Sequence, residues 1–288
     1  GTEKAIFSVS LPTLKTGYDM KKLFLLFAAA LLAATCPAGV FAQFKIGSKK
    51  IDAGKLLNAG KDVAKAVTLN DEEIARLSRE SVEWMDANNP VADDSTSYGA
   101  RLKRLTEGIT DAEGLPLNFK VYLVTDVNAF ACGDGSIRVF AALMDLMDDD
   151  ELMSIIGHEI GHVVHADTKH AMKNAYLSSA ARNAAGAAEG STLAKLSDSQ
   201  LGEVVTAFTG AQFSQKQEYE ADEYGFEFSV KNGFSPYGMG NSLNKLVELS
   251  KGAKSSTVQK MFSSHPDSEK RAARMKEKAD AYVAAHQQ

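Results

Sequence analysis

The chain has 288 residues, of which 44% are hydrophobic and 24% charged, so it is long enough for one large globular domain or two small ones. Aromatic residues at 8% and only six prolines exclude a fibrous or largely disordered protein. The formal net charge of −5 argues against a nucleic-acid partner.

The first feature along the chain is a predicted secretory signal peptide at residues 20–42. Met20 is followed by two lysines, an apolar run and Val-Phe-Ala, a pattern that predicts cleavage after Ala42. Residues 1–19 are then an upstream extension or a cloning artefact. We expect an exported protein of the bacterial periplasm or cell envelope. Two alternatives remain, which are an uncleaved anchor and a lipoprotein attached through Cys36, with association to the outer membrane.

Three helices are predicted before the first strand. Within the N-terminal segment 43–69, residues 50–67 have apolar residues at helical spacing. Asn70, followed by three acidic residues, begins a second helix that ends before Pro90. Residues 98–109 have the pattern of a third helix.

A small antiparallel sheet is predicted next. Residues 119–124 alternate in polarity, and residues 129–132 and 137–140 flank Gly133-Asp134-Gly135, a hairpin signal. Cys132 is the one cysteine that remains after cleavage, so we expect no internal disulfide and a buried, apolar role for this thiol. Together with the surrounding helical patterns, this predicts an α+β fold that is mainly helical.

The next segment contains an HExxH motif. On a helix, His158 and His162 lie one turn apart on one face, where they can hold a single zinc ion together. Glu159 can reach a water beside the metal and act as general base. Asp148, with Glu151 three residues later, predicts a capped N-terminus for this apolar helix.

A third ligand is expected from another helix. His165 shares the helix face, but it lies about 10 Å from His158 along the axis, which is too far for two imidazoles on one zinc. Glu218 can bind the metal, while Asp222, one turn later, accepts the far ring N–H of a ligand histidine. The alternative is that both acids are solvated side chains on a helix surface.

The remaining segments are mostly helical. Residues 176–193 are rich in Ala, Gly and Ser, which suits a mobile flap, a closely packed helix or a loop. Helical patterns cover residues 201–229, ended by Asn232-Gly233, and then residues 236–249 and 266–284.

Two further residues are candidates for the site. His265 precedes the last helix and can serve as a fourth metal ligand that closes the resting enzyme, as an oxyanion donor, or as a packing residue. Arg271 can form an internal salt bridge, which we favour, or help to stabilise the oxyanion.

The combination of HExxH with Glu218-x-x-Ala221-Asp222 resembles the zinc metallopeptidase family of HtpX, the CAAX prenyl peptidases and LoiP (metallopeptidase family forty-eight, gluzincins). The likeness covers roughly residues 70–280 and also rests on residues 126–139, 213–218 and 264–271. Gln215 replaces an arginine found in much of the family, as in LoiP-like members. Asp167 stands where the family often has histidine. Neither departure affects the three ligands or the base.

The resemblance implies a zincin-like catalytic domain over residues 70–288 with one zinc ion. It also implies that substrate is added as a strand to an exposed edge formed by Asn128, Ala129, Phe130 and Ala131; the alternative is a plain hairpin packed beneath the helices. The expected activity is endopeptidase cleavage of misfolded or damaged envelope proteins. Two other hypotheses remain: an assembly or chaperone-like factor with a latent or structural zinc, and a zinc hydrolase of non-peptide substrates. The intact Glu159 argues against a purely structural zinc.

Overall fold

The computed structural model of the protein describes residues 44–46, 49–51, 69–182, 196–252, 261, 264–266 and 268–286. The chain divides into two units, residues 1–63 and 64–288. In the first, β1 (Phe44–Ile46) pairs antiparallel with β2 (Lys49–Ile51). The predicted helix over residues 50–67 is therefore wrong at its start, because residues 50 and 51 belong to β2. Gly47-Ser48 is a hairpin signal in the sequence, but the apolar residues at helical spacing were given more weight.

Several predictions made from the sequence fall outside the described residues. These are the signal peptide, Cys36, residues 52–67 of the predicted first helix, and residues 183–193 of the Ala/Gly/Ser-rich stretch. Among the helices that the structure does describe, none is both long enough and apolar enough to span a bilayer.

Two helices open the second unit, α1 (Asp71–Asn88) and α2 (Ser97–Leu105). The predicted start of α1 is confirmed, because Asn70 caps the backbone N–H of Glu73 and the Glu73 carboxylate accepts from Asn70 N, both at 2.9 Å. Helix α2 ends four residues earlier than the predicted 109, and Gly108 beyond it has a left-handed φ of 80°.

The sheet is small and mixed. A minor pair, β3 (Asp111–Ala112) and β4 (Leu115–Pro116), precedes a three-stranded sheet of β5 (Asn118–Tyr122), β6 (Ala129–Ala131) and β7 (Ser136–Phe140) in the order β5-β7-β6. The predicted β6–β7 hairpin is confirmed as antiparallel, but β5 runs parallel to β7, so the antiparallel prediction was wrong for this pair. The alternation of side chains identifies a strand but not its neighbours, so it does not show that β7 lies between β5 and β6.

Strand β6 lies at an edge of this sheet, as predicted, but it is not exposed. Ala129, Phe130 and Ala131 are all buried. Phe130 packs edge-on against Phe140 and against Phe208, with ring centroids 6.1 and 6.4 Å apart. The prediction of an exposed edge was wrong, because a helix distant in sequence supplies the aromatic cover.

Seven helices follow the sheet in the described chain: α3 (Ala141–Leu146), α4 (Asp149–Val164), α5 (Asp167–Arg182), α6 (Asp198–Thr209), α7 (Gln215–Lys231), α8 (Gly238–Gly252) and α9 (Ser268–His286). The single helix predicted over 201–229 is two helices. The break occurs because Ser214 and Gln217 form a capping box that starts α7 afresh. The predicted fold class, α+β and mainly helical, is confirmed.

Helices α4 and α7 pack through small residues. A Cβ built on Gly157 would come within 3.0 Å of Gly225 Cα, and one on Gly161 would lie 3.1 Å from Ala221 Cα. Both distances are tighter than ordinary van der Waals contact, so glycine is required for the two backbones to approach this closely. This contact brings the HExxH helix alongside the helix that carries Glu218.

Candidate active site

The HExxH segment lies in the buried C-terminal half of α4. The helix begins at the predicted cap, where Asp148 accepts from the backbone N–H of Glu151 and the Glu151 carboxylate accepts from Asp148 N–H, both at 2.9 Å. One turn apart, His158 and His162 point the same way, and their Nε2 atoms are 3.1 Å from each other. The predicted pairing of these two imidazoles is therefore present in the structure.

Glu218 of α7 completes a compact group with the two histidines. Its Oε1 lies 3.5 Å from His162 Nε2, and its Oε2 lies 3.7 Å from His158 Nε2. His265 joins from the segment before α9, with its Nδ1 at 3.1 Å from Glu218 Oε1 and 3.3 Å from His158 Nε2. One ligand atom from each of these four buried residues lies within 4.8 Å of the others.

The donor set fits a metal ion. In a tetrahedral site with bonds of about 2.0–2.1 Å, neighbouring donor atoms lie about 3.4 Å apart. The separations of 3.1, 3.5 and 3.7 Å among His158, His162 and Glu218 bracket that value. Burying and crowding four imidazole and carboxylate groups in this way is costly, and a bound cation would offset that cost. His165 ends the helix beside Tyr224, with ring centroids 6.1 Å apart, and takes no part in the group.

Asp222 contacts a ligand histidine, as the sequence predicted, and that histidine is His158. Asp222 Oδ1 is 2.9 Å from His158 Nδ1, so it accepts the ring N–H and leaves Nε2 facing the other ligand atoms. Arg271 holds the same carboxylate through two hydrogen bonds of 2.8 and 2.7 Å, and it also contacts the Glu218 carboxylate. Burial raises the pKa of Asp222, but the hydrogen bonds from Arg271 and His158 outweigh it, and the pKa lies below its ordinary value. Of the two roles weighed for Arg271, the structure shows the internal salt bridge.

Asp167 is a contact that sequence reasoning missed. Its Oδ2 lies 2.9 Å from His162 Nδ1, and its Oδ1 accepts from Gln217 Nε2 at 2.6 Å. From the sequence alone, Asp167 stands out only as a departure from the histidine that the family often has at this position. Ala166, with a left-handed φ of 63°, turns the chain back so that Asp167 faces the helix that it follows. Phe213, also missed, stacks on the His162 ring with 3.9 Å between centroids.

The protons on the two histidines depend on these neighbours. Burial lowers the pKa of His158 below its ordinary value. Burial also disfavours the charged form of His162, but hydrogen bonds with Asp167 and Glu218 raise its pKa to about 9. A metal would therefore displace a proton from His162 on binding, as imidazole ligands must be neutral.

Glu159 stands apart from the other acids of the site. It is buried, and its Oε1 has no hydrogen-bond partner within the described chain. His265 Nε2 lies 3.7 Å from that oxygen, beyond hydrogen-bond distance. A buried carboxylate oxygen without a partner is costly in a structural role and is available to accept a proton.

Two features of the surroundings bear on how a substrate would be held. Asn128, at the start of β6, is buried and its Oδ1 is unpartnered in the part of the chain described here. A narrow apolar cavity beside His158 and His265 is lined by five aliphatic side chains and has room for about one water molecule. These five are Ile155, Met239, Leu243, Leu246 and Met261. This cavity is too narrow to receive a substrate side chain in the conformation seen here.

Comparison with known proteins places this site in a family. The model of peptidase family M48 matches residues 97–279, a stretch that contains the HExxH helix, Glu218, His265 and Arg271. The chain belongs to peptidase family M48. It is a metallopeptidase, so its substrates are polypeptides, and the resemblance inferred from the motifs is confirmed.

Three curated relatives of this M48 peptidase come from Escherichia coli (strain K12). Metalloprotease LoiP is 38% identical over 253 residues, covering 88% of this chain and 97% of LoiP. Metalloprotease YcaL is 36% identical over 229 residues, covering 79% of this chain and 88% of YcaL. The Beta-barrel assembly-enhancing protease is 27% identical over 268 residues, and the match covers 88% of this chain but 51% of that relative.

Proposed function

We propose that this M48 metallopeptidase is a zinc-dependent endopeptidase that hydrolyses misfolded or damaged proteins of the bacterial cell envelope, with Glu159 as general base. The observation that carries the proposal is the buried convergence of His158, His162 and Glu218 beside an unpartnered carboxylate oxygen of Glu159. A structural metal site would have no use for that oxygen.

His158, His162 and Glu218 would hold the zinc ion. Two neutral imidazoles and one carboxylate leave a net charge of about +1, so the bound metal would polarise both a water molecule and a peptide carbonyl strongly. Asp222, fixed by Arg271, keeps the His158 proton on Nδ1 and its Nε2 free for the metal.

Glu159 would carry the proton through the reaction. Its unpartnered Oε1 takes a proton from the attacking water, and it then gives that proton to the amine that leaves. Burial keeps bulk water from solvating this oxygen, so no hydration shell has to be removed before the proton moves.

Two roles are open to His265. Its Nδ1 lies among the ligand atoms, which supports a fourth-ligand role that closes the resting site. Its Nε2 faces Glu159 at 3.7 Å, which supports a role as donor to the oxyanion once a substrate is bound. The two roles are distinguished by replacing His265 with alanine, which would raise activity in the first case and lower it in the second.

We place the substrate backbone along the outer edge of β6, from Asn128 to Ala131. In the described sheet β6 pairs only with β7, so no strand occupies its other edge. Because β6 is buried, a substrate strand would have to displace the groups that cover it. The unpartnered Oδ1 of Asn128 would accept a backbone N–H of the substrate. The cavity beside His158 and His265 is too narrow for a substrate side chain, which also favours recognition through the backbone.

The envelope location is proposed on two grounds, the signal-peptide pattern of residues 20–42 and the name of one relative, which joins protease activity to β-barrel assembly. A lipoprotein attached through Cys36 is the alternative form. That relative's name also favours a second function, an assembly or chaperone-like factor in which the zinc site is latent or structural.

The test compares the purified protein with Glu159→Gln, measuring bound zinc and the time course of cleavage of an unfolded protein. We expect about one zinc in each and cleavage by the wild type alone. If zinc binds both and neither cleaves, His265→Ala decides between a latent peptidase and the assembly factor. Absence of bound metal in the wild type would overturn the ligand assignment and the function with it.

A further inference from the structure

A short chain of hydrogen bonds joins the two ligand-bearing helices independently of Arg271. It runs from His162 on α4, through Asp167 at the start of α5, to Gln217 on α7, with distances of 2.9 and 2.6 Å. Gln217 immediately precedes Glu218 in the sequence. The chain of contacts therefore begins at one candidate ligand and ends next to another.

The orientation of the Gln217 amide is fixed by a contact on its other side. Its Oε1 accepts from the backbone N–H of Ser214 at 2.9 Å and from the Ser214 hydroxyl at 2.8 Å. Only Nε2 is left to face Asp167, so the amide must donate to that carboxylate. Asp167 is 6% exposed and His162 is fully buried, so water has little access to the bond between them.

Asp222 and Asp167, the two carboxylates that orient the ligand histidines, differ in the groups that balance their negative charge. Asp222 shares its charge with the guanidinium of Arg271. Asp167 receives only the neutral amide of Gln217 besides the imidazole, among the contacts of the described chain. Its negative charge therefore acts on His162 with little compensation, which strengthens that imidazole as a metal ligand.

We propose that Asp167 is a positioning residue for His162 and that Gln217 fixes Asp167, so that zinc affinity depends on the direction of the hydrogen bond between them. The inference rests on the proposed zinc site. Asp167 holds the ring so that Nε2 faces Glu218, and Gln217 prevents the carboxylate from turning away.

The chain allows this direction to be reversed without a change of shape. Gln217→Glu keeps the capping box, because a carboxylate also accepts from Ser214, but it sets two carboxylates against each other. Asp167→Asn in the same protein restores the bond, since the new amide donates to the new carboxylate while its oxygen accepts from His162. Gln200→Glu is the matched control, because Gln200 makes the same substitution possible in an equivalent capping box, where its Oε1 accepts from Ser197 at the start of α6 and faces no group of the metal site among its described contacts.

The measurement is the Kd for Zn²⁺ by competition with a chelator, with the Tm of each metal-free protein as a check on folding. We expect Gln217→Glu to weaken zinc binding by about 10- to 100-fold and Asp167→Asn alone by about 10-fold. The double variant should bind more tightly than Gln217→Glu, and Gln200→Glu should match the wild type.

Wild-type affinity in Gln217→Glu, or no recovery in the double variant, would overturn the inference while leaving the zinc site itself established. If Gln217→Glu does not fold, Asp167→Asn decides alone, and an unchanged Kd counts against Asp167. A wild-type protein that binds no zinc would instead refute the proposed function, and this inference with it.

Discussion

Replacing Arg271 by methionine should destabilise the metal-free protein about twice as much as the zinc-loaded one. Arg271 is 1% exposed and pairs with the carboxylates of Asp222 and Glu218, neither of which is accessible to solvent. Removing one partner of a buried ion pair costs about 3–5 kcal/mol, because the remaining charge is left desolvated. In the metal-free protein, this cost applies to both carboxylates, because Arg271 pairs with each of them.

Bound zinc changes this estimate. The metal would balance the negative charge of Glu218, so only the Asp222 carboxylate would be left without a countercharge. We therefore expect about half of the cost seen without metal. The assay is urea unfolding with excess zinc and with chelator. Arg104→Met is the control, since that side chain is 60% exposed in its pair with Asp149 and should contribute below about 1 kcal/mol in either condition.

Two results would refute the reasoning. A loss in Arg271→Met as small as that of the control would mean that the buried carboxylates find other partners. An equal loss with and without zinc would mean that Glu218 is not compensated by the metal.

Three further predictions concern stability. Burial raises the pKa of Asp86, but hydrogen bonds from Arg138, Lys120 and Tyr122 lower it to about 2. Its contribution, at most about 2 kcal/mol, should be full above pH 4 and lost as the pH falls towards 2, and urea midpoints for Asp86→Asn should lack this dependence. Gly161→Ala would set a Cβ 3.0 Å from Tyr224 Cβ; we expect a loss of about 1–3 kcal/mol and weaker zinc binding, whereas Gly133→Ala, with its nearest contact at 3.5 Å, should change neither. When the free zinc concentration is about 100 times the Kd, bound zinc should stabilise the protein by about 2.7 kcal/mol, so chelation should lower the Tm by the equivalent amount. Calorimetry would show no shift in Tm if the cluster binds no metal.

The parts of the site that follow from local sequence were predictable. Helical spacing alone places His158, Glu159 and His162, and the cap at Asp148 follows from the residue types at its two ends. Glu218 and Asp222 were found because they repeat the same one-turn spacing on a second helix.

The parts that depend on the path of the chain were not predictable. Asp167 reaches His162 only because Ala166 adopts a left-handed φ, which alanine rarely does and no spacing rule anticipates. The parallel pairing of β5 with β7 depends on which strand returns between which, and the burial of β6 depends on Phe208, a residue far along the chain. The break before α7 is a different case, because the Ser214–Gln217 capping box was legible in the sequence and was overlooked.

The close contact of α4 with α7 has a consequence for how this enzyme can vary. The chain between the end of α4 at Val164 and the start of α7 at Gln215 connects two helices that also contact each other directly. They are held together by the packing at their glycines and by the bond between Asp167 and Gln217. The length of the connection therefore does not set the distance between the histidines and Glu218. Substitutions in the connection that spare these two contacts would leave the two halves of the metal site in register, and such positions are those at which the enzyme can vary without losing its chemistry.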